Sequence, residues 1–144
     1  MKQRAMIALW SALAFSVCEG VEADPLAAAE RGKLGTNLVN LSAAVDIYFS
    51  TLPAAPTDDD ATILKNATSP DPTLLAPVFK RYLLKTQYQQ PYAVLLVCSK
   101  DGKRALMEDA GCSARLDRQV RSPAPCEFTL RVENGCRVTG GDPE

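Results

Sequence analysis

Four cysteines crowd the last third of the chain, Cys98, Cys112, Cys126 and Cys136, at steps of 14, 14 and 10 residues. Zinc sites bring their ligands in as close pairs such as C-x2-C and draw on histidine, and this chain has no histidine at all. An even set of widely spaced cysteines is the mark of a disulfide framework, which needs an oxidising compartment. Two disulfides are therefore expected, and no metal site.

The amino terminus supplies the route to such a compartment. Met1-Lys2-Gln3-Arg4 is short and cationic, Ala5 to Val17 is uncharged and largely apolar, and Val21-Glu22-Ala23 provides small residues for cleavage. That is the layout of a signal peptide covering 1–23. Its apolar run would make a helix of about 20 Å, against the roughly 30 Å of a bilayer core, so no transmembrane span is expected after processing. Cys18 offers a lipid anchor as the alternative, although the bulky Val17 stands where a lipobox has a small residue. The expected organisation is a signal peptide at 1–23 and a single mature domain at 24–144. Within the domain, 24–90 reads as mainly helical, 91–138 as mainly β, and 139–144 as a disordered tail. The expected localisation is periplasmic or secreted.

Leu38, Leu41, Val45, Tyr48, Phe49 and Leu52 recur at steps of three and four between Thr36 and Leu52, one apolar stripe on a helix. Thr36 is placed to cap it and Pro53 to stop it, while Leu26 to Arg31 can add a helical turn or two upstream, with Gly32 and Gly35 as weak points, so its start is left open. Thr57 followed by Asp58, Asp59 and Asp60 resembles a capping box with an acidic first turn, opening a short helix through Ile63 and Leu64. A third helix is expected over Leu74, Leu75, Val78, Phe79, Tyr82 and Leu83, with Pro77 as a kink or as its true first turn.

Beyond Pro91 the pattern changes. Tyr92 to Cys98 is a near-continuous apolar run of strand length, Asp101-Gly102 suits a tight hairpin turn, and Arg104 to Glu108 is either the returning strand or a helix that starts after the turn. From Cys126 to Val132, apolar and polar residues alternate, a strand with one wet face, and Asn134-Gly135 turns it back. The fold class is thus α+β, with N-terminal helices packed on a small antiparallel sheet and two disulfides. A two-residue turn at Asp101-Gly102 sets Cys98 opposite Ala105, with Cys112 well beyond. A two-residue turn at Asn134-Gly135 sets Glu133 opposite Cys136, with Cys126 far along the ribbon. Bridged Cα atoms lie within about 7 Å, so both sequential pairings are disfavoured. Of the remaining two connectivities, Cys112 with Cys126 and Cys98 with Cys136 is the one expected.

Without histidine, the Ser-His-Asp, Cys-His and H-E-x-x-H chemistries are excluded together, and no catalytic residue or cofactor is assigned. Carboxylates remain. Asp58, Asp59, Asp60, Glu108 and Asp109 are the candidates for a small cell-wall hydrolase, the alternative function. The plainer account of the Asp triplet is a helix cap. Residues 24–79 hold three basic and seven acidic side chains (−4), and 80–144 eleven and eight (+3), without a basic run. Nucleic acid is therefore not an expected partner. Arg115, Arg118 and Arg121, spaced by three in a long loop, are candidate binding residues for an acidic partner. Tyr88 and Tyr92, set among glutamines, are candidates for an amphipathic contact. The expected function is an exported, non-enzymatic protein-binding or inhibitor-type module, with a structural accessory of an envelope complex as a further alternative.

Overall fold

The computed structural model describes residues 26–141; the expected signal segment, its cleavage point and Cys18 lie outside these, as do residues 142–144. The first helix, α1 (Ala28–Ser50), carries the expected stripe, with Leu34, Leu38, Leu41, Val45 and Phe49 no more than 1% exposed. It begins well before Thr36, from an N-cap at Ala27, and Thr36 instead donates its hydroxyl to the Gly32 carbonyl. Two glycines do not stop it, although each costs about 1 kcal/mol against alanine in a helix interior. Gly35 is buried where an added Cβ would stand 3.3 Å from Leu116 and 3.8 Å from Met107 Sδ. Close tertiary packing there outweighs the local preference.

The second helix, α2 (Asp60–Ala67), is capped from inside the acidic triplet rather than by Thr57, since the Asp59 side chain accepts from Thr62 N at 2.7 Å. The expected third helix is not formed. Two 3-10 turns, Pro72–Leu74 and Pro77–Arg81, are followed at once by a strand, β1 (Tyr82–Gln89). Pro77 does open its turn, but prolines 70, 72 and 77 remove the donors that a continuous helix needs. Tyr82, Leu84, Thr86 and Tyr88 then alternate with Leu83, Lys85, Gln87 and Gln89, so the β structure starts inside the half expected to be helical.

β1 leads through Gln90-Pro91, joined by a cis peptide bond, into β2 (Tyr92–Ser99), then β3 (Ala105–Asp109) and the short β4 (Arg118–Gln119). The four form an antiparallel meander in sequence order. β2 is central and covered on both faces, as its composition implies, with residues 93–98 all fully buried. The Asp101-Gly102 hairpin sets Cys98 opposite Ala105, as expected, before the register shifts by one residue.

The two faces carry different layers. Ala93, Leu95, Val97 and Met107 pack with α1, α2 and the 3-10 turns. Val94, Leu96 and Cys98 face Val120, which directly follows β4, and Cys126, Phe128, Leu130 and Val132 from a C-terminal strap, residues 124–132, laid across the outside of the sheet. Cys126 to Val132 alternates as expected, but only β5 (Arg131–Glu133) enters a ladder, with β6 (Arg137–Thr139). The loop between these two has three residues, not two, because Glu133 pairs with Arg137, leaving Gly135 and Cys136 at φ of 76° and 58°. Thr139 ends β6, and Gly140 lies against the Thr129 carbonyl.

The disulfides join Cys98 to Cys126 and Cys112 to Cys136, with Cα separations of 5.7 and 5.8 Å. Both sequential pairings are absent, as the hairpins require, but the pairing differs from the expected one. The cause is the direction of the strap. Ala105 N donates to Ala124 O and Arg104 bridges Pro125, which brings Cys126 over the hairpin end of the sheet beside Cys98. At the other end, Cys136 N donates to the Tyr92 hydroxyl at 3.1 Å, close to where Cys112 leaves β3. Disulfides form and persist in oxidising compartments, so the two pairs point to a non-cytoplasmic protein. Among the described residues, no helix is long and apolar enough to cross a membrane.

Candidate functional site

Glu108 and Asp109 are adjacent on β3 and therefore point to opposite faces; both are fully buried. Glu108 looks toward the strap. Its Oε1 accepts from the amides of Thr129 (2.9 Å) and Leu130 (3.0 Å), and its Oε2 from the Thr129 hydroxyl (2.9 Å) and Arg118 Nη1 (3.3 Å). Gln89 continues the same device, accepting from Val132 N at 2.7 Å and donating to Leu130 O at 3.0 Å. These side chains stand in for the ladder that the strap lacks, because a buried amide without a partner costs about 1–3 kcal/mol. Sequence alternation placed the strap's faces; nothing local to it announces that its partners are side chains.

Asp109 looks toward α1. Its carboxylate accepts from the Ser42 hydroxyl in a very short contact, from Gly111 N at 3.1 Å and from Asp117 N at 3.1 Å. Asp117 returns the bond by accepting from Ala110 N at 2.8 Å. The exchange closes the loop from Ala110 to Asp117 against the helix. Burial pushes the Asp109 carboxyl up to about 6, reinforced by the neighbouring Asp117 charge and opposed by the Ser42 hydrogen bond. Gly111 permits the approach, with φ of 69° and only 2.6 Å between its Cβ position and Ser42 O.

The loop so fixed forms one wall of a groove of about 290 Å³, the other wall being the first turns of α1. Gly32, Gly35, Val39, Ala114 and Leu116 make an apolar floor, and Arg31, Thr36, Asn40 and Gln119 supply polar groups at its margin. Glycines carry no chemical signature in a sequence and the two walls are distant along the chain. Arg31 would have been the one charged cue.

The residues singled out from sequence are separated by the fold. Arg118 is turned inward, its side chain 6% exposed against Glu108, while Arg115 and Arg121 remain exposed on either side of it. The three do not form one cationic edge, because β4 gives Arg118 the strap-facing side of the sheet. Tyr88 packs edge-on against Phe49 at 5.2 Å between ring centres, on the helix face. Tyr92 is on the strap face, holding Cys136. Of the acidic triplet, Asp58 is exposed and Asp59 caps α2 with its carboxyl held below the usual range by the Thr62 hydrogen bonds. Asp60 accepts from both the amide and the hydroxyl of Thr86 at 2.7 Å, capping the outer edge of β1. Among the described residues no cluster of three or more cysteines and carboxylates is arranged to hold a metal ion. No family model, curated protein or solved structure matches the chain.

Proposed function

We propose that the chain is a periplasmic or secreted protein-binding module of inhibitor type, without catalytic activity, and that the groove between α1 and the Ala110–Gln119 segment receives its partner. The observation that carries this is the way the groove's loop wall is tied down. Its loop wall is held by the Cys112–Cys136 bridge, by the Asp109–Asp117 exchange and by Ser42 on α1. A preformed apolar concavity with polar margins spares the partner complex the cost of ordering a loop, about 0.5–1.5 kcal/mol for each side chain fixed. The burial of Glu108 and Asp109 counts against the alternative, a carboxylate-dependent hydrolase, since neither can meet a polymeric substrate. Clearing of peptidoglycan in a zymogram would reverse that preference.

The test is photo-cross-linking in the native host, with the reactive group at Asn40 on the groove margin or at Ile47 elsewhere on α1. One discrete adduct from Asn40 only, lost in a folded Val39→Arg variant, is the expected result. Equal adducts from both positions, or none, would refute the assignment.

A further inference from the structure

The end of the sheet from which the Asp101-Gly102 hairpin projects gathers cations from three elements. Lys80 and Arg81 close the turn entering β1, Lys100 and Lys103 flank the hairpin, and Arg104 leads into β3. Register holds them together: Tyr82 pairs with Ser99, Ser99 N donates to Arg104 O at 2.8 Å, and Lys100 Nζ donates to the Lys80 carbonyl at 3.3 Å. Lys80, Arg81, Lys100 and Lys103 are exposed.

Two of the carboxylates at this end already have partners. Asp101 accepts from Ser99 Oγ at 2.6 Å and Lys103 N at 3.0 Å, bonds that shape the turn. Glu30 takes Arg81 at 3.2 Å and the Tyr82 hydroxyl at 2.7 Å. Like charges gathered at one end of a sheet repel one another within a Debye length of about 8 Å, and a partner's carboxylates would relieve that repulsion. Among these cations, beside Gly102, stands Leu83, 41% exposed and one of two large apolar side chains left open to solvent among the described residues.

We propose that this end of the sheet docks an acidic segment of a protein partner, with Leu83 as the apolar anchor. A phosphate polymer answers the charge but leaves Leu83 in water; an acidic segment bearing one apolar side chain answers both. The inference rests on the binding-module reading and adds the partner's chemistry to it.

The experiment is fluorescence anisotropy on the oxidised protein, with a labelled Glu-rich peptide carrying a central Leu as the probe. Salt-sensitive binding is expected, weakened at least about tenfold by the combined Lys80→Glu, Lys100→Glu and Lys103→Glu substitutions. Leu83→Ser should weaken it severalfold with the salt dependence unchanged. Lys65→Glu with Arg137→Glu, a charge reversal at exposed positions elsewhere, should leave it within about twofold. Thermal melts establish that each variant is folded. Indifference to the lysine reversals, equal loss from the Lys65 and Arg137 reversals, or tighter binding to an oligonucleotide or to anionic vesicles than to the peptide would overturn the proposal. A partner captured from Asn40 whose capture ignores the lysine variants sinks this inference and leaves the groove reading standing; if the Val39→Arg variant also changes nothing, both fall.

Discussion

Glu108→Gln is the most direct probe of how the strap is held. The substitution keeps the shape and one carbonyl oxygen, so the amides of Thr129 and Leu130 retain their acceptor. The second oxygen becomes an NH2 group facing Arg118 Nη1 and the Thr129 hydroxyl. Thr129 can reverse its hydroxyl and accept. Arg118 cannot reverse, and it is left as a buried cation with its carboxylate removed, a loss of about 3–5 kcal/mol when one partner of a buried pair is deleted. Against a total stability of about 5–15 kcal/mol the variant should still fold. Urea unfolding with the disulfides intact should therefore show a loss of about 3 kcal/mol. Hydrogen exchange should accelerate at Leu130 and Val132 more than in α1. The double variant Glu108→Gln with Arg118→Met should recover at least about 1 kcal/mol of the loss, because the buried cation is gone as well. A loss below about 1 kcal/mol in the single variant, with additive behaviour in the double, would refute the view that this ion pair anchors the strap.

Burial raises the Asp109 carboxyl from its ordinary 3.8 to about 6 in the folded protein, so folding favours its neutral form. The stability this contributes is fully present below about 3.8 and is lost as pH rises through about 6. Subtracting the stability–pH profile of Asp109→Asn from that of the native protein should expose this fall; parallel profiles would contradict it. Gly111→Ala forces a side chain onto a positive φ and against the α1 backbone, and should cost at least about 2 kcal/mol in thermal unfolding. Peptide mapping without reduction should recover Cys98 linked to Cys126 and Cys112 linked to Cys136, and any other pairing would contradict the strap's direction. Asp60→Ala uncovers the Thr86 amide on the outer edge of β1, so size-exclusion chromatography should show concentration-dependent association that the native protein lacks.

Where one interaction dominates a segment, the sequence was sufficient. Six fully buried residues in a row make β2 unmistakable, the three-and-four stripe of α1 outlasts two glycines, and Asp101-Gly102 sets the Cys98–Ala105 register. β1 was missed because Val78, Phe79, Tyr82 and Leu83 imitate a helical stripe that runs across the boundary between a 3-10 turn and a strand. The disulfide pairing turned on which way the strap crosses the sheet, and that direction is decided by Ala124 and Pro125 meeting Ala105 and Arg104, contacts with no sequence signal. Arg118 shares its spacing with Arg115 and Arg121, yet two residues of β4 pairing suffice to bury it. The groove was illegible for a related reason: its floor is glycine and small apolar side chains from segments that only the tertiary fold brings together.

The acidic residues follow a common rule. Asp46 accepts from Ala93 N as β2 begins, Asp59 from the first turn of α2, Asp60 from the edge of β1, and Asp71 from Thr73 N in a 3-10 turn. Asp101 shapes a hairpin, Glu108 holds the strap, and Asp109 and Asp117 close a loop. Each stands where a backbone N–H has no partner from a helix or a ladder, and a carboxylate is the strongest acceptor available for one. An irregular fold with a short sheet and a strap has many such amides, so it draws its carboxylates onto its own backbone. Lysines cannot serve those amides, having no acceptor to offer, and they stay outside. The cationic end then follows from the local sequence, since residues 80–104 hold six basic side chains against Asp101 alone, in a chain whose formal net charge is −1.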